Sequence, residues 1–71
     1  MRKSETVYYG TKTYLISVGD LFHNNKHGLF ITDINCAYVS YYWLHSPDEK
    51  QYESVGHIVD SIYRGFLYAS K

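Results

Sequence analysis

The sequence has one cysteine, so no disulfide can form within the chain. That fits a reducing compartment or a sheltered thiol. No apolar run approaches the ~20 residues that cross a bilayer as a helix. Met1 to Tyr9 has no apolar core of a signal peptide, so neither a membrane span nor a secretory leader is expected. There is no excess of charge of either sign, since 7 Lys and Arg balance 7 Asp and Glu. A neutral chain is a poor indiscriminate binder of phosphate backbones. Glycine is sparse and scattered, at Gly10, Gly19, Gly28, Gly56 and Gly65, and forms neither a GxGxxG pattern nor a P-loop. No nucleophile elbow, oxyanion glycine cluster or orienting acid accompanies Cys36, so the chain reads as a non-enzyme.

What is abundant is aromatic and β-branched. Nine tyrosines, three phenylalanines and one tryptophan stand among 71 residues, of which 45% are hydrophobic. That is too apolar for a disordered chain and long enough for one small domain. Tyr, Val, Ile, Phe and Thr suit a pleated, half-buried surface. The glycines and the Ser46-Pro47-Asp48 turn cut the chain into pieces that each hold one short strand. The class expected is therefore all-β.

Residues 1–17 read as an N-terminal arm or hairpin, with strands Thr6 to Tyr9 and Thr13 to Ile16 about a Gly10-Thr11-Lys12 turn. Val18 to Phe22 reads as a strand, and His23 to Gly28 as a polar loop in which asparagine takes left-handed conformations and Gly28 closes the turn. Leu29 to Ile34 follows, with Leu29, Ile31 and Asp33 on one face and Phe30, Thr32 and Ile34 on the other. After a short Asn35-Cys36-Ala37 turn, Tyr38 to Leu44 is the strongest strand. Its alternation groups Val39, Tyr41 and Trp43 as core, against Tyr38, Ser40, Tyr42 and Leu44. Gln51 to Val55 is a further strand, Gly56 to Tyr63 a helical or 3₁₀ turn, and Phe66 to Ala69 the last strand. Residues 18–71 thus have the strand order of a small SH3-like barrel of about five strands, with the helical turn before the last.

Val18-Gly19-Asp20-Leu21-Phe22, a polar loop, then Gly28-Leu29-Phe30-Ile31-Thr32-Asp33-Ile34 is similar to the opening of KOW-type SH3-like barrels. The continuation, Tyr38 to Leu44 and then Ser46-Pro47-Asp48-Glu49, resembles short tyrosine-rich proteins of tailed bacteriophages. The resemblance covers about Val18 to Ile62. It implies a compact β domain acting in the host cytoplasm or the virion. The basic loops of nucleic-acid-binding KOW domains are not matched: the loop after Phe22 holds only Lys26 and two histidines, and the one after Trp43 carries Asp48 and Glu49 against Lys50.

The tyrosines are the leading binding candidates. Tyr38 and Tyr42 face away from the core, and Tyr52 and Tyr14 extend the same patch, giving a surface for a host or phage protein. The bland alternative packs these rings against the hairpin and last strand. The arm, Val7 to Ile16, offers a strand for self-association. The alternative function is nucleic-acid or transcription-complex binding through Lys12, Arg64 and Tyr42, with Arg2, Lys3 and Lys71 as the remaining terminal charges. His23 and His27 are four apart, a chelating distance on a helix, but here they flank a loop without carboxylate or thiol, so no metal is expected. The interior of so short a barrel leaves no room for a cofactor.

Overall fold

A computed structural model describes residues 3–69. Arg2 and Lys71, two of the terminal charges, lie outside the described residues. The chain is mostly β, with two antiparallel sheets and one short helix.

The first sheet is the hairpin β1 (Ser4–Tyr9) and β2 (Lys12–Ser17), paired from Ser4 with Ser17 to Tyr9 with Lys12. Its two-residue turn has positive φ at Gly10 (64°) and not at Thr11, the pattern of a II′ turn whose twist matches that of the strands. Alternation turns Val7, Tyr9, Tyr14 and Ile16 toward the core, and Ile16 is fully buried there.

The strand expected from Val18 begins later. Val18-Gly19-Asp20 forms a bend in which Asp20 Oδ2 accepts from the Ser17 N–H at 2.8 Å, and Gly19 takes φ 93°. Two backbone bonds, Gly19 N–H to the Ile31 carbonyl and Ile31 N–H to the Asp20 carbonyl, fasten the bend to the next strand. β3 (Leu21–His23) then opens a five-stranded sheet with β4 (Gly28–Asn35), β5 (Tyr38–Trp43), β6 (Gln51–Ser54) and β7 (Tyr68–Ala69). Its order is β6-β5-β4-β3-β7. The β3–β4 loop is held by Asn24, whose Oδ1 accepts from the N–H groups of Lys26 and His27. Neither asparagine takes positive φ, contrary to expectation; Cys36 is the one non-glycine that does among the described residues. Gly28 serves by its size, since a Cβ there would meet Leu44 Cδ1 at 2.7 Å.

A bulge in β4 changes the expected faces. Leu29 pairs with Trp43 and Ile31 with Tyr41, but the register then slips, so that Asp33 pairs with Ser40 and Ile34 with Val39. Thr32 is the extra residue, and its hydroxyl donates to the Ser40 carbonyl at 3.1 Å. Ile34, not Asp33, therefore joins Leu29 and Ile31 in the core. Asp33 turns out to meet Lys3 Nζ at 3.2 Å.

The helical turn is a full helix, α1 (Val55–Tyr63). Ser54 caps it by accepting from the His57 N–H, and Val55, Ile58 and Val59 are its buried face. Its end is a Schellman motif. Gly65 at φ 83° donates to the Ile62 carbonyl, and the Phe66 N–H donates to that of Ser61. This stretch takes Phe66 and Leu67 out of the expected last strand, so β7 is only two residues. The core lies between the inner sheet face, this helix and the hairpin, joining Ile16, Ile31, Val39, Val59 and Leu67.

Candidate functional site

Cross-strand partners share a face, so the register defines the outer side of the large sheet. One row is Leu21, Phe30 and Tyr42; the next is Asp33, Ser40 and Tyr52; a third is Asn35, Tyr38 and Ser54. Tyr52 lies opposite Ser40 and is therefore diagonal to both Tyr38 and Tyr42. The Phe30 and Tyr42 rings are 5.5 Å apart and tilted. Tyr38 is 61% exposed and Tyr52 68%. Tyr42 is half-buried beside Phe30. The hydroxyls of these three tyrosines have no protein partner among the described residues, so each offers a donor and an acceptor at the end of a flat apolar ring.

Three of the four tyrosines singled out from the sequence are thus brought together. Tyr14 is not. It sits on β2 opposite Val7 and packs against the core from the hairpin side. Phe30, before the bulge, is outward by alternation with Leu29 and Ile31, and the bulge then turns Ile34 to the inner face.

The residues of the nucleic-acid reading do not converge on Tyr42. Lys12 and Arg64 lie toward one end, linked through Tyr9, which pairs with Lys12 and whose hydroxyl donates to Asp60. Arg64 Nε donates to the same carboxylate at 2.9 Å. These two contacts, the Tyr9 hydroxyl foremost, hold the Asp60 carboxyl below its ordinary range, and the same hydrogen bond raises the Tyr9 phenol. Tyr9 also meets the Tyr63 ring edge-on at 4.9 Å. Lys3 is engaged by Asp33, whose carboxyl it lowers.

The histidines pair in ways their spacing does not suggest. His27 lies against His45 at 3.9 Å between ring centroids, His23 stacks on Tyr68, and His57 Nε2 is 3.9 Å from Glu53. Among the described residues no three His, Cys, Asp or Glu are grouped to hold a metal ion. Cys36 is exposed in the β4–β5 turn at φ 57°.

A second aromatic surface lies on the opposite side of the large sheet. Trp43, expected as core, is half-buried and meets Tyr41 edge-on at 5.9 Å. Beyond it a cavity of ≈ 170 Å³ is lined by Tyr41, Trp43, Glu53, His57 and Phe66. A wider hollow of ≈ 340 Å³ adjoins it and shares Asn24 and Phe66. Burial, and secondarily the Glu53 charge, raise the Tyr41 phenol. Phe66 escapes a reading by strand periodicity, because it is the Schellman glycine before it that throws the ring outward. The signal available was the Ser54 cap together with Gly65.

Compared with protein families, characterised proteins and solved structures, the chain matches none. No helix among the described residues is long and apolar enough to cross a membrane.

Proposed function

We propose that this chain is a non-enzymatic protein-interaction or assembly module that binds through the outer face of its large sheet. The observation that carries the reading is the convergence of Tyr38, Tyr42, Tyr52 and Phe30 on one face, turned away from the core that the hairpin and helix help to close. Tyrosine is enriched at protein interfaces because a rigid apolar ring with a polar tip binds with little side-chain entropy to lose. Strand β6 borders this face with its second edge unpaired among the described residues, which offers backbone groups beside the rings. The hairpin offers the same for a second copy, with Tyr8 and Leu15 exposed on its outer side.

The strand order β6-β5-β4-β3-β7, with a helix before the last strand, supports an SH3-like barrel architecture. The phage setting, whether host cytoplasm or virion, rests on the resemblance of Tyr38 to Leu44 and of Ser46-Pro47-Asp48-Glu49.

The test is affinity capture of the tagged chain from its host, with and without nuclease, read by mass spectrometry. A stoichiometric protein that survives nuclease and is lost with a Tyr38→Ser, Tyr52→Ser double variant of unchanged circular dichroism is the expected result. Both side chains are exposed, so the fold should tolerate their loss. Capture that vanishes with nuclease overturns the reading in favour of nucleic acid.

A further inference from the structure

The cavity beside Trp43 has the composition of a receptor for a cation. Three rings of different type, Tyr41, Trp43 and Phe66, stand around it, and its wall carries the Glu53 carboxylate beside His57. Aromatic faces are negative at their centres and attract a cation held within ~6 Å. The volume, ≈ 170 Å³, is close to the ~150 Å³ that takes a benzene-sized guest, so one side-chain head fits.

The walls are also prepared. Phe66 is 67% exposed, so its ring is accessible to a guest. It is held there by the Schellman turn at Gly65 and by its buried neighbour Leu67, so its place is set by backbone hydrogen bonds. Trp43 is set by its pairing with Leu29 and its edge contact with Tyr41. Glu53 is on β6, and its nearest cationic candidate, His57 Nε2, lies at 3.9 Å. That is beyond hydrogen-bond reach, so the carboxylate keeps its acceptor capacity. Lys26 lines the adjoining hollow and not this cavity.

We infer that this cavity receives an arginine side chain of a protein partner, its guanidinium lying against Trp43 and Phe66 and its N–H groups donating to Glu53. Charge complementarity selects a cation, and the flat walls select arginine over lysine. A guanidinium is planar, weakly hydrated and stacks on rings while its edge meets a carboxylate, whereas an ammonium is compact and strongly hydrated. The site faces the side of the sheet opposite the tyrosine face, so either surface can fail without the other.

Trp43 is the one tryptophan in the chain and reports directly on the cavity. The probes are acetyl-Gly-Arg-Gly-amide and its citrulline and lysine counterparts, titrated to about 10 mM against Trp43 fluorescence and the indole N–H resonance. The arginine peptide should give a saturable change, with citrulline and lysine weaker by about threefold or more. Glu53→Gln and Phe66→Ala should each weaken the arginine peptide by about threefold to tenfold. Tyr52→Ser, on the other face, should leave it unchanged. Phe66 is exposed, so its variant keeps the fold and the test keeps its meaning. An equal response to citrulline or lysine, an unaltered Glu53→Gln, or no saturable change with arginine overturns the inference.

Discussion

The bulge at Thr32 decides which residues of β4 face the core, and it can be tested by a pair of substitutions with opposite expectations. Strict alternation from Leu29 and Ile31 would bury Asp33 and expose Ile34; the observed register does the reverse. Ile34 is 6% exposed and pairs with the fully buried Val39. Ile34→Val should cost ~1 kcal/mol, and Ile34→Ala ~2–5 kcal/mol. Against a total stability of roughly 4–11 kcal/mol for a chain of this length, the alanine variant loses a large share of the whole. The valine variant should lower Tm by ~4–8 °C. Asp33 has its contact with Lys3 and a hydrogen bond with the Ile34 backbone to lose, and the two charged side chains are more than half exposed, so Asp33→Ala should leave the unfolding midpoint close to that of the parent chain. Thr32→Val removes the hydroxyl that donates to the Ser40 carbonyl and should cost ~1 kcal/mol. Guanidinium unfolding followed through Trp43 fluorescence measures all four variants. A neutral Ile34→Val together with an Asp33→Ala variant as destabilised as Ile34→Ala is expected to be would refute the register and restore strict alternation.

Stability should fall in acid as Asp33 and Asp60 are protonated. Their carboxyls are held below the ordinary value in the folded chain, so their contribution is present above the unfolded pKa of ~3.9 and is lost as pH falls through the folded values. Tyr9→Phe should move the Asp60 carboxyl titration upward in a carbon-13 NMR pH series, since the Tyr9 hydroxyl is the largest cause of the depression; an unmoved titration refutes the link. Tyr9 has the opposite sign, its contribution being complete below pH ~10 and lost as pH rises through its raised folded value. Cys36 holds φ 57° in a two-residue turn, a conformation that costs an ordinary L-residue ~1–2 kcal/mol and asparagine less. Cys36→Asn should therefore raise Tm by a few degrees, about 0.5 kcal/mol in stability. A lowered Tm counts against strain at that turn.

Much of the β framework was legible because its signals are local. The hairpin followed from Gly10 between two alternating strands, and the faces of β5 followed from Val39, Tyr41 and Trp43, of which the first two are buried and the third half-buried. What was not legible depends on one-residue displacements. Period-2 reasoning carries a strand through Thr32 without a slip, because threonine is a good strand residue whether paired or bulged. Val18 reads as strand by composition, yet Asp20 turns the backbone back on Ser17. Gly28 was read for its dihedral freedom, when its requirement is room for Leu44. Tyr14 was grouped with the other tyrosines although no local signal says which side of the hairpin meets the core.

The aromatic richness of β5 has a consequence that follows from this geometry. A strand with rings on both faces must cover one set or leave it to a partner, and here neither set is wholly covered. Tyr41 is buried, but Trp43 beyond it is only half-buried, since α1 ends at Tyr63 and the chain turns away at Gly65. Continuing the helix past Gly65 would forfeit the Phe66 wall; extending β7 back to Phe66 would turn that residue into a strand position beside β3. The nine-residue helix and the two-residue strand are thus the combination that leaves a ring-lined hollow on the inner side while the tyrosine face stays open on the other. On the function proposed above, such a module would hold two segments of one partner, or bridge two partners, across a single sheet.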